Sequence, residues 1–134
     1  MGIMANIFSD KWMKKLMDEW NKSPELAHEL SIIDFNSTIA YGFDKEDKPR
    51  GILVVEKGKA VSATAFDNQD CHWDLRASKE NWKKWFKKPP GMMALGIAYT
   101  SKDLEFIKGD YTSMIKDPHM AGPFIKSFIV MGRV

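Results

Sequence analysis

Apolar positions recur along this chain with two periods, and each change of period marks a new element. Trp12, Leu16 and Trp20 are spaced by four, with Met13 and Met17 beside them and Lys11, Lys14, Lys15, Asp18 and Glu19 opposite. This predicts an amphipathic helix over 10–22, capped by Ser9. Ser23, Pro24 and Glu25 supply a cap, a proline at the first helical position and an acid in the first turn, predicting a short second helix over 24–29. From Leu30 the period becomes two. Ile33, Phe35, Ile39, Tyr41 and Phe43 share one face and Asp34, Asn36 and Thr38 the other, which predicts a strand over 31–43. A polar loop through Pro49 leads to strands over 51–57 and 59–67, turned by Gly58, and the three strands make an antiparallel meander.

The polar run 67–70 breaks the meander, and a fourth strand is predicted over 71–77. It places Cys71, Trp73, Leu75 and Ala77 on one face and His72, Asp74 and Arg76 on the other. Ser78 then caps a helix over 79–88, with Glu80 in its first turn and Pro89, Pro90 and Gly91 ending it. On a helical wheel Trp82, Trp85 and Phe86 span roughly 100°, and Lys83, Lys84, Lys87 and Lys88 fill the opposite side. Two readings of this helix stay open. Its aromatic face packs on the core and its lysines are simply solvated, or that face walls a ligand pocket and the lysines meet an acidic partner, a membrane surface or a ligand head group. Met92, Met93, Leu95 and Ile97 follow as a short apolar segment read as helical. A fifth strand over 103–109 precedes a helix from Tyr111. In the tail, Phe124, Ile125, Phe128 and Ile129 mark one more helical face.

Composition narrows the classes. The 134 residues suit one domain, 1–134, long enough to bury a core. Net charge is +2, too small to argue for nucleic acid. The one cysteine, Cys71, precludes an internal disulfide and points to a reducing compartment. No basic-then-apolar leader opens the chain, and Asn6 stands where a myristoylation signal on Gly2 wants Ser or Thr, so a cytoplasmic location is expected. Nine Met and five Trp are the outlying counts; Met serves surfaces that adapt to varied apolar shapes.

Several strings carry a family resemblance. They are Phe8-Ser9-Asp10-Lys11-Trp12 at the first helix and Gly51-Ile52-Leu53-Val54-Val55 in the second strand. Leu75-Arg76-Ala77-Ser78-Lys79-Glu80-Asn81-Trp82 spans a strand-to-helix step, and Leu104-Glu105-Phe106-Ile107-Lys108-Gly109-Asp110 closes the sheet. With the element order, they make the chain resemble the sterol carrier protein type 2 family over about residues 8–134. The resemblance implies an α+β fold: a five-stranded, mostly antiparallel sheet covered on one face by helices, with a hydrophobic tunnel between. It also implies binding or transfer of a sterol, fatty acid, acyl-CoA or similar apolar molecule.

The expected ligand-binding residues are Trp82, Trp85, Phe86, Met92, Met93, Phe106, Met114, Phe124 and Phe128, which sit on the elements after the fourth strand. Their alternative role is ordinary core. No catalytic signature, GxGxxG or Walker sequence occurs, and His28, His72 and His119 lack metal spacing, so no enzyme, cofactor or metal is expected. Two further readings remain. One is an accessory protein that presents an apolar substrate to a partner enzyme. The other is a small isomerase using Asp34, Asp74 or Tyr99 as its proton-shuttling group.

Overall fold

The computed structural model describes residues 6–134; Gly2 lies outside them. The described chain forms α1 (Asp10–Asn21), α2 (Pro24–Ile32), β1 (Ser37–Phe43), β2 (Gly51–Glu56), β3 (Lys59–Ala65) and β4 (Trp73–Ala77). It continues through α3 (Lys79–Lys87), α4 (Met92–Thr100), β5 (Leu104–Lys108), α5 (Tyr111–Lys116) and α6 (Pro118–Met131). The sheet order is β3-β2-β1-β4-β5, antiparallel throughout except for the central parallel pair β1–β4. This is the expected α+β architecture.

Local chemistry accounts for most boundaries. Ser9 Oγ accepts from Trp12 N at 3.2 Å and Ser78 Oγ from Asn81 N at 3.0 Å, as their N-cap positions predict. Ser23 departs from expectation. It occupies the N-cap of α2, yet its hydroxyl donates to the Glu19 carbonyl at 3.0 Å and accepts from Arg133 at 3.1 Å.

Two strand starts also differ from the pattern. α2 runs to Ile32, and Asp34 takes φ 50°, in the left-handed region, so β1 begins only at Ser37. Leu26, Ala27 and Leu30 are the buried side of that helix, and their i, i+3, i+4 spacing outweighs the alternation that continues through Ile33 and Phe35. β4 begins at Trp73 rather than Cys71. Before it, His72 N donates to the Thr38 carbonyl at 2.9 Å, while His72 Nδ1 accepts from Thr38 N at 3.0 Å. The imidazole stands where a ladder carbonyl would otherwise sit.

One sheet face carries the core. Ile39, Tyr41, Leu53, Val55, Leu75 and Ala77 lie beneath the helices. Trp82 is wholly buried at the centre, where its indole donates to the Gly42 carbonyl at 2.9 Å. Its ring meets Phe8 and Trp85 edge-on and lies nearly parallel to Phe128, with centroids 5.1, 5.5 and 6.1 Å away. α1 covers the edge strand β3. Asn21 both donates to the Ala60 carbonyl and accepts from Ala60 N, each at 2.9 Å, and Lys14 donates to the Ala63 carbonyl at 2.9 Å. An edge that could recruit another strand is thereby occupied.

The opposite face buries an ion pair. Arg76 grips Asp74 through two hydrogen bonds of 2.6 and 2.9 Å, and donates to the Glu46 carbonyl at 2.8 Å. The β1–β2 loop is thus tied down over the back of the sheet.

A candidate apolar binding cavity

Between the sheet and the helices lies an apolar cavity of about 50 Å³. β1 contributes Ile39 and Tyr41, and β4 contributes Trp73 and Leu75. Trp20 enters from α1, and Leu26, Leu30 and Phe35 come from α2 and the turn after it. Met114, Met120, Pro123, Phe124 and Ser127 close the remaining side from α5 and α6. Phe35, Trp73, Met120 and Phe124 are only half-buried, so they mark the side open toward solvent.

Each wall follows from its element. Leu26 and Leu30 are i, i+4 on α2. Met120, Pro123, Phe124 and Ser127 fall at i, i+3, i+4, i+7 on α6, one continuous stripe. Ile39 and Tyr41 alternate on β1 and point to the helical side. Gly109 takes φ 99°, and a Cβ there would overlap the Trp73 ring, so glycine lets that indole lie across the end of β5.

Two polar groups at the walls are already paired. The Trp20 indole donates to the Gly58 carbonyl at 3.0 Å, and the Ser127 hydroxyl to the Phe124 carbonyl at 2.5 Å. Among the described residues, no buried side-chain nitrogen or oxygen lacks a hydrogen-bond partner. Burial pushes the Tyr41 phenol well above its ordinary pKa, keeping it neutral. The cavity therefore offers apolar contact and almost no polar recognition. One ordered water needs about 10–15 Å³. In this conformation the space fits a few waters and no sterol or acyl chain.

The nine expected ligand-binding residues are distributed over four environments. Met114 and Phe124 line the cavity. Trp82, Trp85, Phe86 and Phe128 form the packed aromatic cluster beside it; Phe124 and Phe128 are in edge contact, 5.4 Å between centroids. Phe106 is half-buried between Trp73 and Phe124, 6.0 and 5.9 Å away. Met92 and Met93 are 48% and 80% exposed on α4, and no residue of α4 lines the cavity. The walls from α1, α2 and β1 lie outside the sequence-derived set. Their signal was the buried face of each element, which was legible, but nothing in it distinguishes core from cavity.

The candidate proton-shuttling groups stand elsewhere. Asp34 is exposed, Asp74 is bound to Arg76 on the back of the sheet, and Tyr99 stacks on Tyr111 with centroids 4.1 Å apart. None of the three lines the cavity. Cys71 is partly buried, and its thiol is held above the ordinary range chiefly by desolvation. Among the described residues, no group of three or more His, Cys, Asp or Glu side chains is placed to hold a metal ion, and no helix is long and apolar enough to cross a membrane.

No family model matches the chain, and no curated protein matches it. Solved structures do. A crystal structure of sterol carrier protein 2 superposes with a TM-score of 0.73 at 16% identity, covering 96% of this chain and 98% of that one. A Thermus thermophilus protein described as a possible sterol carrier gives 0.58 at 15% identity, over 95% and 85%. The UbiJ-SCP2 ubiquinone synthesis protein gives 0.59 at 13% identity, over 100% and 98%. At these identities the likeness is one of fold: the chain has the sterol carrier protein type 2 fold over nearly its whole length.

Proposed function

We propose that this protein binds an apolar small molecule, of the size of an acyl chain or sterol, between its sheet and helices, and carries it without chemical change. The observation that supports this is the cavity itself, whose lining is almost wholly apolar. Such a site works by removing apolar surface from water, at about 25 cal/mol per Å². Small-molecule pockets usually run to about 300–1,000 Å³, so the cavity opens into a tunnel when a ligand is taken up. Met114 and Phe124 touch the ligand first. Displacing Phe124 exposes Phe128, with Trp82, Trp85 and Phe86 behind it and Phe106 at the flank. The likeness to sterol carrier protein 2 supports the same reading.

Native mass spectrometry of gently purified protein tests it. A co-purified lipid-sized mass, displaced by a fluorescent fatty acid, is the expected result. Protein that carries no such mass and fails to bind fatty acid or sterol analogues would refute it.

The likeness to a ubiquinone synthesis protein favours one second reading, an accessory protein holding an apolar substrate for a partner enzyme. Retention of a stoichiometric enzyme on native purification distinguishes it from a free carrier. In either case Lys83, Lys84, Lys87 and Lys88 are proposed to meet an acidic membrane surface or partner enzyme; all four are exposed.

A further inference from the structure

α4 does not match its surroundings. None of its nine residues is charged, and its apolar positions run around the whole helix. Such a helix is ordinarily enclosed on all sides. Here only Leu95 and Ala98 are buried, while Tyr99 leans inward onto Tyr111. Met93 is 80% and Ile97 63% exposed, and Met92 and Ala94 are exposed beside them. Advancing 100° per residue, the outward residues 92, 93, 94, 96, 97 and 100 cover about 200° without a charge.

Positive charge lies alongside. Lys84 and Lys88 line one groove with Ala94 and Ile97, joined by Pro89, Pro90 and a single carboxylate, Asp103. Among the described residues, none of Lys83, Lys84, Lys87 and Lys88 lies within ion-pair distance of a carboxylate. Residues 79–108 hold seven lysines against three acids, +4 in a chain whose total is +2, so the rest of the molecule is net negative. Lys84 and Lys88 thus border the exposed apolar arc, on the stretch of chain that carries the excess of positive charge.

We propose that α4 and the α3 lysines form a docking surface for an anionic lipid bilayer. Met92, Met93 and Ile97 enter among the acyl chains, and Lys84 and Lys88 remain at the level of the phosphates. An acidic protein surface would satisfy the lysines but leave the uncharged arc uncovered; a bilayer supplies anionic head groups and hydrocarbon within a few ångströms of each other. A nine-residue helix, about 14 Å long, is suited to lying in the interface rather than spanning it. This rests on the lysine contact proposed above and not on what the cavity holds.

The test is sedimentation with vesicles of phosphatidylcholine, alone or with about one third phosphatidylglycerol. The wild-type protein should bind the anionic vesicles only, and less at high salt. Met93→Ser with Ile97→Ser should lower partitioning by tenfold or more, and changing Lys83, Lys84, Lys87 and Lys88 to Gln by a hundredfold or more. Melting temperature and fatty-acid affinity should be unchanged in these variants. Vesicle binding by protein that carries no lipid and binds neither fatty acid nor sterol analogues would leave this surface standing and refute the carrier reading. Three results would overturn the proposal: equal binding to neutral vesicles, partitioning unaffected by the serine pair, or a dimer that Met93→Ser dissociates.

Discussion

Phe124 and Phe128 lie one turn apart on α6, and truncating each to alanine separates cavity wall from core. Phe128 is wholly buried, with Trp82, Trp85 and Phe124 rings within 6.1 Å. Removing such a ring typically costs about 3–5 kcal/mol. For a domain of this length each kcal/mol moves Tm by about 4 °C, so Phe128→Ala should melt roughly 12–20 °C lower. Phe124 is half-buried and already borders a void. It forfeits fewer contacts, about 1–2 kcal/mol, or roughly 4–8 °C. The order reverses for ligand. If the Phe124 ring covers about 40 Å² of a bound chain, its loss costs about 1 kcal/mol at 25 cal/mol per Å², a fivefold weaker Kd. Phe128→Ala, one layer back, should change affinity less than Phe124→Ala. Calorimetric melting and titration with a fluorescent fatty acid read both quantities on the same samples. Equal Tm losses with unchanged affinity for Phe124→Ala would show Phe124 to be ordinary core and remove the physical case for a wall there.

Asp74→Asn should destabilise strongly, by about 3–5 kcal/mol in urea unfolding, because it strands the buried Arg76 guanidinium, while fatty-acid affinity stays constant; a loss below about 1 kcal/mol would contradict the pairing. Tyr41→Phe should matter only in alkali. The folded phenol's pKa is raised by burial, so its contribution is complete below the unfolded value near pH 10 and is lost as pH rises beyond it. Wild type should therefore lose stability above about pH 10 faster than Tyr41→Phe, and parallel pH curves would refute this.

The sequence wrote its caps and breaks more plainly than its voids. Ser78 and the pair Pro89-Pro90 delimit α3 by local chemistry, and the three aromatics fall on its buried face. The start of β1 was hidden because Ile33 and Phe35 continue the alternation of Ile39 and Tyr41, while the left-handed turn at Asp34 leaves no mark in the polarity pattern. α4 could not be oriented at all: apolar residues all around a helix define no inner side. The cavity was illegible for a different reason. Periodicity reports that Leu30, Tyr41 and Phe124 face inward, whereas a void is a mismatch among the volumes of several inward faces and belongs to no single element.

The two sides of that mismatch differ in how firmly their residues are held. On the α3 side, Trp82 is fixed by its hydrogen bond to Gly42 and by rings on several sides, so yielding there would break a buried hydrogen bond as well as aromatic contacts. On the α5–α6 side the walls include Met114 and Met120, whose unbranched side chains repack at little cost. α5 is only six residues long, and Pro123 inside α6 has no N–H to offer the carbonyl one turn back. If the chain binds a ligand as proposed, expansion around it should cost least at the α5–α6 corner. Phe35, Trp73, Met120 and Phe124 are the half-buried residues of the lining, so in the proposed carrier the entry path and the yielding wall would be one region of the fold.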